Sequence, residues 1–179
     1  IYYDAILTYR QLHDAVLALA GYLQNACGVQ RGDRVLLDML NSPQWVIAYF
    51  AILRADAMVV PVNPMLMTEE LRHYVDDSGA KVAVASQDIF ARLAPLVGTT
   101  KLTTALVAPY SDYLPAHTDL AVPDIITAAR GVPQSSGVIA WHAALAQCGA
   151  LREHLAGPDD LACMPYTSGT TGKPKGCVH

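Results

Sequence analysis

Residues 166–176 read Tyr-Thr-Ser-Gly-Thr-Thr-Gly-Lys-Pro-Lys-Gly and bring together four small hydroxyl side chains, three glycines and two lysines. These residue types suit the binding of phosphate. Glycine lets the backbone enter positive φ and approach a ligand closely, so that successive N–H groups converge on an anion. Ser168, Thr170 and Thr171 add hydroxyl donors, Lys173 and Lys175 add positive charge, and no acid stands between Leu161 and His179. The local field is therefore cationic, although the chain carries a formal charge of −4.

The P-loop of nucleoside triphosphatases uses the same ingredients at a different spacing. It needs a longer gap between its glycines and a Ser or Thr directly after the lysine, where a helix opens. Here only Thr170 and Thr171 separate Gly169 from Gly172, and Pro174 follows Lys173. Proline has no N–H to offer at that point, and it disfavours the α region for the residue before it. A plain surface turn also favours Gly, Pro, Ser and Thr, but ordinary turns rarely order so many donors in this way.

The string resembles the phosphate-binding signature of the acyl-adenylate-forming superfamily, which comprises acyl-CoA synthetases, adenylation domains of nonribosomal peptide synthetases and beetle luciferases. The resemblance implies that Thr167, Ser168, Gly169, Thr170, Thr171 and Gly172 cradle the β- and γ-phosphates of ATP while a carboxylate attacks the α-phosphate. It makes Lys175 the lysine of the motif's Pro-Lys-Gly and places Lys173 where the family pattern is permissive.

The rest of the chain must position that loop. Its 179 residues, 53% apolar and 16% charged, suit a single α/β region with a buried core and exclude a disordered chain. A weak negative charge without a long basic run gives no footprint for nucleic acid. Cys27, Cys148, Cys163 and Cys177 form no CxxC pair and have no histidine at zinc-ligand spacing, so they read as reduced thiols of a cytoplasmic protein. The start, Ile1-Tyr2-Tyr3-Asp4, has neither an initiator methionine nor the marks of a secretory signal. The chain reads as a fragment that starts and stops inside a longer enzyme. The apolar run 45–53 meets Arg54 and Asp56 well short of the ~20 residues of a spanning helix, so no transmembrane segment is expected. Peripheral membrane contact through a lipid substrate is compatible with this.

In chain order, Thr8 and Gln11 form the capping box of a first helix, which carries Leu12, Val16, Leu19 and Leu23 at helical spacing and closes near Gly28. Residues 33–40 form a buried strand with Asp38 as the one charge of its apolar run 35–40, and Ser42-Pro43 then caps a helix over 44–54. A second strand over 58–62 follows, then a helix capped at Thr68 with Glu69 and Glu70 in its first turn, ending at Gly79. Strands over 81–85 and 103–108 flank a helix over 88–97. Residues 109–137 read as an irregular loop, 141–148 as a short helix and 161–165 as a strand leading into the signature, with another strand beginning near Cys177. Apolar strands alternating with amphipathic helices predict a largely parallel sheet covered by helices, which binds ligands at the carboxyl ends of its strands.

Further segments carry the same resemblance: Leu7 to Leu12, Ala51 to Ala57 with Val60 to Pro64, and Asp77 to Lys81 are similar to other core motifs of the superfamily. Asp56 departs from it, standing where glycine is frequent, and suits a left-handed turn at a helix end. No metal cluster or Ser/His/Asp triad emerges from spacing, no catalytic residue is assigned, and His179 stands out only by its nearness to the signature. The resemblance thus implies the N-terminal part of the large domain of an ATP-dependent acid–thiol ligase, most like a long- or medium-chain fatty-acid–CoA ligase. Its partners would be a carboxylate, ATP with Mg²⁺, and CoA as co-substrate. The family's adenine, ribose and catalytic-lysine motifs lie beyond His179, which predicts that the fragment alone is inactive. An aryl or amino acid adenylating domain, or a non-catalytic nucleotide-binding or scaffolding module, are the alternatives.

Overall fold

The computed structural model describes residues 1–132, 134–147, 149–167 and 172–179. Its helices begin where side chains close their ends. The Thr8 hydroxyl accepts from the Gln11 N–H at 3.2 Å while the Gln11 amide oxygen accepts from the Thr8 N–H at 2.9 Å, opening α1 (Tyr9–Asn25). That helix stops ahead of Gly28, whose φ of +69° turns the chain so that the Val29 N–H reaches the Leu23 carbonyl. Ser42 accepts from the Trp45 N–H at 3.2 Å and opens α2 (Pro43–Arg54).

Two helices depart from the sequence expectation. The N-cap of α3 (Thr68–Ser78) is Met67, whose N–H donates to the Glu70 carboxylate at 2.8 Å, while the Thr68 hydroxyl donates instead to the Arg92 carbonyl. The helix expected over 88–97 shrinks to α4 (Phe90–Leu93) and a 3-10 turn, Ala94–Leu96, because Pro95 has no N–H for an α-helical bond.

Four strands stand where apolar runs placed them: β1 (Arg34–Asp38), β2 (Met58–Pro61), β3 (Val82–Ser86) and β4 (Thr104–Ala108). Among the described residues of 109–137, a 3-10 turn at Tyr110–Tyr113 and the single-turn α5 (Asp124–Thr127) interrupt irregular chain. A fifth strand, β5 (Val138–Ala140), follows directly and runs into α6 (Trp141–Ala146). All five pair in parallel in the order β2-β1-β3-β4-β5, so the chain reverses its direction of travel across the sheet between β1 and β3.

Alternation along the strands divides the core. Val35, Leu37, Val82, Val84 and Leu106 pack with α1, α2 and α6 on one face, whereas Leu36, Ala83, Ala85, Ala105 and Val107 pack with α3 and α4 on the other. Leu36, Leu37 and Leu106 are fully buried, each worth about 1.5–3 kcal/mol relative to exposure. Asp38 ends β1 at the point of reversal and is only 2% exposed. Burial pushes its carboxyl up to about 7, with Arg92 opposing and Asp88 reinforcing the shift. Among the described residues, no helix is long and apolar enough to cross a membrane.

Candidate phosphate-binding site

The segment that leads into the signature extends the sheet beyond β2. The Val59 N–H donates to the Ala162 carbonyl at 3.0 Å and the Met164 N–H donates to the Val59 carbonyl at 2.8 Å, giving a parallel bridge between Val59 and Cys163. The strand expected over 161–165 is thus a single bridge, since Pro165 has no N–H to continue the ladder. From there the chain forms a hairpin, β6 (Tyr166–Thr167) and β7 (Lys175–Gly176), with Tyr166 opposite Gly176 and Thr167 opposite Lys175. The returning arm begins earlier than the expected position near Cys177 and continues through bonds from Cys177 N to Pro165 O and from His179 N to Cys163 O. His179 serves here through its backbone, accepting from the Ala162 N–H at 2.7 Å.

Thr167, Gly172, Lys173 and Lys175 all stand exposed at the loop end of this hairpin. Ser168, Gly169, Thr170 and Thr171 lie outside the described residues, as does Cys148. Gly172 has a φ of +114°, which L side chains rarely adopt, so the loop needs glycine there. Gly176 allows a close approach: a Cβ on it would lie 3.0 Å from the Met164 Cγ and Sδ atoms. Among the described residues, no ion pair occupies Lys173 or Lys175, so both ammonium groups are available to an anion.

Both arms rest on α3. The Tyr166 ring lies on Tyr74 with centroids 4.1 Å apart, and its hydroxyl donates to Asp77 Oδ2 at 2.6 Å. Burial first, and Asp77 second, raise the Tyr166 pKa, so the phenol keeps its proton and remains a donor. On the other arm, His73 Nε2 donates to the Pro174 carbonyl at 2.8 Å. The sequence reads Asp77 only as the start of a stretch similar to a core motif, and nothing local to α3 foretells either contact.

The approach to the hairpin is fixed by Asp56. Its φ of +59° is the left-handed turn expected of it, and its carboxylate, 6% exposed, accepts from the Leu155 and Ala156 N–H groups and pairs with His154 Nδ1 at 2.5 Å. Arg31 adds a two-pronged contact to Asp160 at 2.8 and 2.9 Å. Among the described residues, Cys27, Cys163 and Cys177 are free thiols, and no group of three or more His, Cys, Asp or Glu side chains is placed to hold a metal.

The sequence pattern of the AMP-binding enzyme family matches residues 1–179. The long-chain-fatty-acid–CoA ligase of Escherichia coli O6:H1 is 34% identical over 179 residues, which cover 97% of this chain and 32% of that protein. The 3-hydroxybenzoate–CoA ligase of Aromatoleum sp. (strain CIB) is 31% identical over 173 residues, covering 97% of this chain and 29% of its own. The crystal structure of an anthranilate CoA ligase in complex with anthranoyl-AMP superposes with a TM-score of 0.78 at 23% identity, over 97% of this chain and 29% of that one. The chain therefore spans about a third of the length of the curated relatives it matches.

Proposed function

The chain belongs to the AMP-binding enzyme family, and from that premise we propose that it forms the N-terminal part of an ATP-dependent acid–thiol ligase. A carboxylate oxygen attacks the α-phosphorus of ATP, the bond to pyrophosphate breaks, and an acyl-adenylate forms. The thiol of CoA then attacks the acyl carbon and AMP leaves. The observation that carries this reading is the family match over the whole chain, joined to a hairpin whose loop end presents Thr167, Gly172, Lys173 and Lys175.

In this reading the chain's own residues hold and orient the departing pyrophosphate. Thr167, Ser168, Thr170 and Thr171 donate hydroxyl protons, the backbone at Gly169 and Gly172 offers N–H groups, and Lys175, with Lys173, balances the charge that develops on the leaving group. Each hydrogen bond to a charged oxygen is worth roughly 1.5–3 kcal/mol. Ser and Thr hydroxyls can ligate Mg²⁺ as well as donate to phosphate oxygens, and Mg²⁺ bound with the nucleotide would neutralise its phosphates.

The acid is a medium- or long-chain fatty acid, a reading supported by the 34% identity to a long-chain-fatty-acid–CoA ligase. An aryl acid is the second reading, favoured by the 31% identity to a 3-hydroxybenzoate–CoA ligase. We place the enzyme in the cytoplasm, meeting lipid substrates at the membrane surface. The 179 residues alone would not catalyse, because positioning catalysis needs every reacting group held together. The test is exchange of labelled pyrophosphate into ATP by the complete gene product, across fatty, aryl and amino acids. Exchange that depends on fatty acids is expected. Exchange with aryl acids only would transfer the proposal to the second reading, and none with any acid would leave a non-catalytic nucleotide-binding module.

A further inference from the structure

We propose that His73 and Asp77 are positioning residues for adenylation, clamping the two arms of the phosphate hairpin from one face of α3. The inference rests on the ligase reading above and extends it to residues outside the signature. Positions four apart share a helix face, and here each takes a different arm. Asp77 accepts from the Tyr166 hydroxyl at 2.6 Å, directly before Thr167. His73 donates to the Pro174 carbonyl at 2.8 Å, whose peptide carries Lys175. One bond therefore fixes the chain entering the loop and the other fixes the chain leaving it.

The base of the hairpin is held by the bonds of Cys177 and His179 and by the bridge to Val59. Among the described residues its loop end has the two residue pairs of β6 and β7, and it is there that the clamp acts. The platform, by contrast, is rigid: Leu71 and Val75 of α3 are fully buried, and Tyr74, 7% exposed, backs the Tyr166 ring. His73 also packs its edge against Tyr166 with centroids 6.2 Å apart, tying the two contacts into one unit. Since a carbonyl can only accept, His73 Nε2 carries a proton, and it does so in both the charged ring and the matching neutral tautomer. A loop whose donors converge on phosphate loses function steeply when its ends drift, because catalysis by positioning is sensitive to displacements of about 1 Å.

The experiment uses the complete gene product and measures kcat and KM for ATP in acid-dependent pyrophosphate exchange, with thermal stability and amide hydrogen exchange over 172–177 measured alongside. His73→Leu removes the donor and keeps bulk, whereas His73→Gln keeps an N–H donor. Asp77→Ala removes the acceptor, whereas Asp77→Asn keeps an amide oxygen for the phenol. His73→Leu and Asp77→Ala are expected to lower kcat/KM for ATP about tenfold each, the scale of one lost hydrogen bond. They should leave KM for the acid unchanged and quicken exchange of the hairpin amides. His73→Gln and Asp77→Asn should recover most of the loss. Equal losses in the conservative variants, or KM values for acid and ATP that shift together, would overturn the clamp, as would hairpin amides that exchange as in the wild type. If the wild type exchanges pyrophosphate with no acid, the ligase reading fails instead, and hairpin amide exchange still decides the clamp: faster in His73→Leu and Asp77→Ala supports it, unchanged overturns it.

Discussion

Asp38→Asn keeps the shape of the buried side chain at the end of β1 and removes its charge, which makes the energetic consequence of that charge measurable. Asp38 is 2% exposed, and its Oδ1 has no hydrogen-bond partner among the described residues. Burial outweighs the attraction of Arg92 and, with Asp88, pushes the carboxyl up to about 7. In an unfolded chain it titrates near about 3.9. Between those values the folded protein holds a proton that the unfolded chain has released, so this group's contribution to stability falls as pH rises from about 4 to about 7. Below that window both states are protonated and the penalty vanishes; above it the full penalty stands. At about 1.4 kcal/mol per unit, the penalty is about 1–2 kcal/mol at pH 5 and roughly 4 kcal/mol at pH 8. Asparagine carries no such penalty at either pH, and any fixed difference in hydrogen bonding cancels when the two conditions are compared. Urea unfolding of both proteins should therefore show the asparagine variant gaining about 2–3 kcal/mol on the wild type between pH 5 and pH 8. A gain that is equal at the two values, or smaller at pH 8, would refute the reasoning.

Two further outcomes follow from the approach to the hairpin and from its lysine. Asp56→Gly loses the bonds to Leu155, Ala156 and His154 without a backbone cost at φ +59°, so amides over 154–156 should exchange faster. Asp56→Ala should lose a further ~1 kcal/mol or more in urea unfolding from the left-handed conformation, and equal stability of the two variants would contradict that strain. Lys175→Ala should lower turnover while changing stability by only about 0.5 kcal/mol, read by comparing rate and melting temperature. Unchanged turnover would mark Lys175 as a lysine that merely faces water.

What the sequence disclosed was local. The Thr8–Gln11 capping box, Ser42 ahead of Pro43, and Gly79 at the end of α3 are hydrogen-bonding arrangements complete within a few residues, and they stand where they were expected. The apolar runs of β1 to β4 were equally legible, because strands buried on both faces carry an unbroken hydrophobic signature. β5 was missed for the opposite reason: Val138, Ile139 and Ala140 are few and only partly buried, and they follow an irregular stretch. Asp56 disclosed its turn but not its bonds, since its partners lie about a hundred residues downstream. The contacts of Asp77 with Tyr166 and of His73 with Pro174 span 89 and 101 residues, so only the fold brings them together. Strand order was hidden likewise, because parallel pairing joins segments that share no local sequence pattern.

If the loop between β6 and β7 holds the phosphates of ATP, the hydroxyls of Thr170 and Thr171 donate to them. Replacing both with valine in the complete gene product keeps their branched shape and removes two donors. Acid-dependent exchange of labelled pyrophosphate into ATP should then fall on the order of 10²-fold or more, the scale of removing one preorganised donor to developing charge. Exchange at the wild-type rate in that double variant would contradict the claim.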